Sequence, residues 1–148
     1  KKYTAPVKFL IGLMCSECFT YGGLMEKHIQ ERLNINLSDI RKINIKRKVF
    51  ITTKSEVKTI SLAEAKQYSR KSCRLCDDFS SELADISLGG LGLNGWTFTV
   101  IRTERGEELF LNAERSGVIE TRDVNEEGNA LSLLLKLSKK KRQNARYQ

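Results

Sequence analysis

Four cysteines fall in two C-x2-C pairs, Cys15 with Cys18 and Cys73 with Cys76, and 54 residues separate the pairs. Two thiolates three positions apart at a turn can both point at one metal centre, whereas a disulfide across that spacing is strained and prone to redox chemistry. The pattern therefore favours a metal site. A chain of 148 residues can also build a core without disulfide staples. Nothing marks secretion, so the expected compartment is the cytoplasm, where thiols stay reduced. Zinc and a 4Fe-4S cluster are both open at this point. With four thiolates each carries a net charge of about −2, and Arg70, Lys71 and Arg74 would balance either one. Small zinc ribbons hold their pairs about 15 to 20 residues apart. The longer separation here suits a cluster bound between two elements of a larger fold.

The elements that must carry these cysteines follow from periodicity. The apolar run PVKFLIGLM, residues 6–14, reads as a buried strand that delivers Cys15 to its end. Tyr21, Leu24, Met25, Ile29 and Leu33 recur at helical spacing and predict a helix over residues 21–33, with His28 beside the apolar stripe. A lone histidine without a partner at ligand spacing reads as a helix residue. Residues 43–53 and 57–60 read as the two arms of a hairpin. Ser61-Leu-Ala-Glu64 is a capping box that opens a helix over residues 62–69 and leads into Cys73. Strands are expected over 83–88, 96–103 and 118–124, with helices over 107–116 and 129–142. The sum is an α+β fold, a mixed sheet with flanking helices in one compact domain.

LGGLGLNG, residues 88–95, contains a literal G-x-G-x-x-G. A dinucleotide fingerprint needs a helix next, and the strand-forming WTFTVIRT stands there instead, so that reading fails. The surviving reading is a glycine-rich turn whose backbone can approach a cofactor or a neighbouring strand. Asp85 is placed to orient this turn. Asp77 and Asp78 read as solvated or capping carboxylates. There is no nucleophile elbow, no Cys–His pair and no metal-type His pair, which leaves hydrolytic chemistry without support.

Charge is unevenly distributed. Lys136, Lys139, Lys140, Lys141, Arg142 and Arg146 crowd the last thirteen residues, and removing them from the net +8 leaves +2 for the preceding 135. The expected division is therefore 1–135 as the cysteine-bearing domain and 136–148 as a basic terminal helix or tail, read as a solvated helix end. With 40% apolar residues the chain is not wholly disordered, and no apolar run approaches the about 20 residues of a membrane-spanning helix. It begins at Lys1 with no signal-peptide pattern and reads as a fragment or processed piece.

A series of ordered motifs carries a resemblance. Gly12-Leu13-Met14-Cys15 is followed by Phe19, Tyr68 and Arg70, and then by CRLCDDFSSELADIS from Cys73 to Ser87. Gly89, Gly92, Gly95-Trp96 and Arg102-Thr103 complete the set. Over residues 8–124 the chain resembles the C-terminal part of the coenzyme F420 hydrogenase/dehydrogenase beta-subunit family. The resemblance implies an oxidoreductase subunit with FAD and a 4Fe-4S cluster, which takes coenzyme F420 as substrate and passes electrons to a hydrogenase, formate dehydrogenase or similar redox subunit. It moves the metal choice to 4Fe-4S. It also shows a departure: relatives commonly have a different polar residue in place of Cys18 and take another ligand from an upstream Gly-x-Pro-Cys segment absent here. Cys15, Cys73 and Cys76 are the expected ligands, and Cys18 is either the fourth or a bystander. The family's N-terminal flavin motif is missing too. FAD is then held mostly by a missing N-terminal part of the same subunit or by a separate flavin-binding chain, and this piece alone is expected to be inactive. Ser87, Gly89, Gly90 and Gly92 are the candidate cofactor contacts of this chain. The competing reading is a zinc-stabilised four-cysteine binding module whose basic tail contacts nucleic acid, which the placement of the aromatics disfavours. A third is a scaffold that keeps the fold without the flavin.

Overall fold

The computed structural model describes residues 7–124 and 129–146. Pro6, which opens the first expected strand, and residues 147–148 of the expected tail lie outside them. The described strands are β1 (Ile11–Leu13), β2 (Ile40–Ile45), β3 (Lys48–Thr53), β4 (Val57–Ser61), β5 (Ile86–Gly89) and β6 (Phe98–Ile101). The α-helices are α1 (Leu62–Lys66), α2 (Glu104–Arg115) and α3 (Ala130–Arg146). A further helix, Tyr21–Arg32, winds with π pitch. The α+β class expected from the sequence is the one adopted, with its strands in two sheets. The chain divides into a discontinuous unit, Lys1–Ser16 with Leu75–Gln148, and an inserted unit, Glu17–Arg74. Both passages between units fall inside a C-x2-C pair.

In the inserted unit, β2, β3 and β4 form an antiparallel sheet. Alternation along β3 sends Val49, Ile51 and Thr53 inward. Val49 and Ile51 join Leu24, Ile29, Ile35, Ile60 and Ala65 in the core. Residues 43–53, expected as one arm of a hairpin, are two strands: the chain folds back at Lys46-Arg47, where Lys46 N–H donates to Lys48 O at 3.0 Å. Three consecutive cations are easier to solvate at a turn than along a half-buried strand. The capping box forms as expected, with Glu64 N–H on Ser61 Oγ at 3.1 Å and Ser61 N–H on Glu64 Oε2 at 3.0 Å. The helix it opens stops at Lys66 rather than residue 69, and Tyr68 and Ser69 close short turns onto Ala65 and Lys66. The helix Tyr21–Arg32 ends with Leu33 N–H on His28 O, five residues back. Its His28 is fully buried, and Nδ1 lies 3.1 Å from the Tyr68 hydroxyl.

In the discontinuous unit the sheet is mixed, as expected: β1 runs parallel to β5, and β5 antiparallel to β6. The first strand, expected to be buried, lies at the sheet's edge with Ile11 and Leu13 exposed. A second core gathers Phe79, Leu91, Phe98, Ala130 and Leu134. The strand expected from residue 83 starts at Ile86, after a turn closed by Ala84 N–H on Ser81 O. The strand expected to reach residue 103 ends at Ile101, because Thr103 caps α2 by accepting Gly106 N–H at 3.2 Å. That helix therefore starts three residues before the expected 107, and it stops at Gly117 (φ 68°) as expected. Residues 118–124 form no strand; instead Arg122 lies over the Trp96 ring, 4.3 Å from its centroid. The terminal helix runs unbroken across the expected boundary at 135/136.

Asp85 does not orient the glycine-rich turn. Its side chain, 2% exposed, accepts Leu10 N–H at 2.9 Å, the Thr103 hydroxyl at 2.6 Å and the Arg105 guanidinium at 3.0 Å. It ties the entry of β1 to the start of α2. The Thr103 hydroxyl, then the Leu10 amide and Arg105, hold its carboxyl below the usual range against the opposing effect of burial. A depressed folded-state pKa contributes stability above the unfolded value and loses it as pH falls through the folded one. Stability measured by denaturant titration is therefore expected to drop below about pH 4, and Asp85→Asn is expected to flatten that acid limb. An unchanged acid limb in the variant would place the titration elsewhere.

Candidate metal centre

Strand β1 continues its pairing through Met14, whose N–H bonds Leu88 O at 2.8 Å, and Cys15 N–H then bonds Phe79 O at 2.8 Å. Cys15 is thus delivered at a strand end, as expected, against the segment just after Cys76. Cys76 is exposed, with Sγ 3.5 Å from Asp78 O. Asp78 caps the next turn through Glu82 N–H at 3.0 Å, the capping role expected of this acid pair. These contacts belong to the discontinuous unit.

The inserted unit holds the other two cysteines. Arg70 N–H bonds Cys18 O at 2.8 Å, Cys73 N–H bonds Arg70 O at 3.0 Å, and Cys18 N–H points at Cys73 Sγ at 3.2 Å. Cys18, whose role the sequence left open, therefore stands beside Cys73. The 3-10 turn Lys71–Arg74 carries Cys73 among the exposed cations Arg70, Lys71 and Arg74. Within neither unit do three metal-ligating side chains converge among the described residues. The donor chemistry nonetheless fits a thiolate-bound centre. The Cys73 sulfur has the Cys18 N–H as a backbone donor and three exposed cations beside it in sequence, surroundings suited to a metal-bound thiolate.

The four candidate cofactor contacts divide. Ser87 is fully buried, its hydroxyl donating to Ser81 O at 3.1 Å and accepting from Arg102 Nε at 3.3 Å. A Cβ on Gly89 would lie 2.5 Å from Met14 Sδ, so that position packs inside. Gly90 and Gly92 face open space, and Gly92 has φ 82°, which excludes most side chains. The element after Gly95 is a strand, so the dinucleotide reading stays excluded. Sequence reasoning missed a cavity of about 410 Å³ lined by Trp96, Phe98, Phe110 and Arg122, and no spacing signalled it. It also missed Lys141, hidden in a run of charges.

A small mixed sheet whose edge strand ends in a cysteine, interrupted by an inserted antiparallel sheet that carries the second cysteine turn, defines a cysteine-bearing α+β module. Residues 1–127 match the family model described as the C terminus of the coenzyme F420 hydrogenase/dehydrogenase beta subunit, and the chain belongs to this family. It is 36% identical over 141 residues to the coenzyme F420 hydrogenase subunit beta of Methanothermobacter thermautotrophicus, a match covering 94% of this chain and 50% of that one. It is 30% identical over 143 residues to the F420-dependent formate dehydrogenase subunit beta of Methanocaldococcus jannaschii, covering 89% of this chain and 38% of the relative. A solved structure of the F420-reducing [NiFe] hydrogenase complex from Methanosarcina barkeri contains a chain with TM-score 0.86 and 35% identity, covering 95% of this chain and 49% of that chain. The chain spans about half the length of the curated relatives it matches. Among the described residues, no helix is long and apolar enough to cross a membrane.

Proposed function

We propose that this chain is the cysteine-ligating, electron-transfer part of an F420-linked oxidoreductase subunit working in the cytoplasm. Cys15, Cys18, Cys73 and Cys76 hold one 4Fe-4S cluster. FAD is carried mainly by the other half of the subunit or by a separate flavin-binding chain, with Gly90 and Gly92 offering backbone to its edge. A hydrogenase, formate dehydrogenase or similar subunit is the electron partner. The observation that carries this reading is the thiol set itself: two C-x2-C pairs in a member of this family, with Cys18 N–H aimed at Cys73 Sγ at 3.2 Å. When bound, FAD exchanges a hydride with coenzyme F420 and releases its electrons singly, and a 4Fe-4S cluster carries single electrons.

The chain's own residues prepare the site. Strand β1 and the turn Lys71–Arg74 fix two of the thiol-bearing backbones, and the Cys18 amide stabilises charge on the Cys73 sulfur. Arg70, Lys71 and Arg74 favour the more negative, reduced state of whatever the thiolates bind, which raises its potential. Solvent screens these exposed cations, so each has a modest effect. The zinc module with a nucleic-acid-binding tail is weakened by two of its six tail bases: Lys141 is buried, and Arg142 pairs with Glu82.

Electron paramagnetic resonance of the anaerobically purified, chemically reduced chain tests the proposal. A signal from one unpaired spin per chain is expected. A silent sample with bound zinc would favour the alternative. Cys18→Ser is expected to lose most of the bound iron. Retention of a full complement in that variant would assign the fourth ligand outside this chain.

A further inference from the structure

Helix α3 carries a buried amine that neither the cysteine motifs nor a solvated tail requires. Lys141 is 9% exposed, and its Nζ donates to the carbonyl of Ser16, the residue after Cys15. One position on, the Arg142 guanidinium donates to Glu82 Oε1. Glu82 N–H in turn donates to Asp78 Oδ2 at 3.0 Å, and Asp78 O lies 3.5 Å from Cys76 Sγ. All of these residues belong to the discontinuous unit. Burying a lysine costs desolvation and the freedom of a long side chain. A helix end whose bases only face solvent has no cause to do so. Upstream, Ala130 and Leu134 seat the same helix in the core beside Phe79, which accepts the Cys15 amide. The helix lies after the residues that the family model matches.

We propose that α3 is a clamp on the two cysteine segments of its unit, with Lys141 the positioning residue for Cys15 and the Arg142–Glu82 pair the positioning contact for Cys76. The ammonium pulls the Ser16 carbonyl toward the helix, which fixes the peptide leaving Cys15. The guanidinium holds the turn that Asp78 caps after Cys76. The functional meaning of the clamp rests on the reading that these thiols are ligands, but its mechanical effect does not.

The test is alkylation of the iron-free full chain by iodoacetamide, followed cysteine by cysteine with mass spectrometry. In Lys141→Met, which keeps most of the length of the apolar stem and removes the ammonium, Cys15 is expected to react roughly tenfold faster, the factor that about 1.4 kcal/mol of lost local stabilisation produces. Cys73, in the inserted unit, is expected to keep its rate. Lys141→Arg keeps the charge and donors and is expected to restore the slow rate. In Arg142→Gln, the acceleration is expected at Cys76. An unchanged Cys15 rate in Lys141→Met, or equal acceleration of all four cysteines, overturns the clamp. With iron and sulfide restored, Lys141→Met is expected to lower the reduction potential relative to the parent chain. The expected alkylation changes in the variants, together with a parent chain that never takes up a cluster, would instead sink the ligand reading and leave the clamp standing.

Discussion

Serine in place of Cys73 is expected to strip the visible absorbance and nearly all iron from the anaerobically purified chain while leaving its fold in place. Cys73 sits in the turn Lys71–Arg74, where its N–H bonds Arg70 O and its sulfur receives the Cys18 amide. A hydroxyl is a much weaker acid than a thiol of pKa about 8.5, and the hard oxygen it offers is a poor match for iron that prefers soft thiolate donors. The side chain is only half-buried, so removing its sulfur is expected to cost the fold about 1 kcal/mol or less. Loss of colour with an unfolding midpoint lowered by no more than about 3 °C is therefore the expected pair of results. A Cys73→Ser chain with its full iron content would show that this sulfur is not a ligand.

Gly12→Ala is expected to have the largest effect on stability among single-methyl changes near the cysteines. A Cβ there would lie 2.2 Å from Ser81 Cβ, 2.7 Å from Ser81 Oγ and 3.0 Å from Ala84 Cβ. Ser81 cannot easily yield. It sits at φ 54°, its hydroxyl donates to Leu13 O at 2.8 Å, and its carbonyl accepts the buried Ser87 hydroxyl. Overpacking of this kind costs about 1–3 kcal/mol, which lowers the melting temperature of a chain this size by roughly 3–10 °C. Iron loading is expected to fall with it, because β1 is the strand that delivers Cys15. A melting curve superimposable on that of the parent chain would contradict the close seating of β1 on residues 81–84.

Much of this fold was legible because local signals and tertiary packing agree. The box Ser61-Leu-Ala-Glu64 forms both of its hydrogen bonds, and the apolar run before Cys15 becomes a strand that leads directly to that residue. The failures have specific causes. An apolar run shows that a strand forms but not how many neighbours flank it, so the edge position of β1 was invisible. Residues 43–53 carry β-branched side chains on both sides of Lys46, Arg47 and Lys48, and only the solubility of those three cations reveals the turn. Thr103 reads as the last residue of a strand until its hydroxyl is seen to bridge Asp85 while its oxygen accepts Gly106 N–H. Residues 118–124 have strand-like alternation but no sheet edge to join, and the Trp96 ring captures Arg122 instead. At the candidate site, spacing alone identified the four thiols. Spacing could not show that Cys18 stands beside Cys73, nor that Ser87 spends its hydroxyl inside the unit. Lys141 was hidden for the opposite reason, since a run of like charges normally marks a solvated face and this one contains a buried anchor.

Quantifying iron, acid-labile sulfide and zinc in the chain purified without oxygen is the most direct measurement. A shared iron–sulfur centre on these four thiols requires about four irons and about four sulfides per chain, with zinc near background. One zinc per chain and no sulfide, in protein never exposed to air, would contradict it.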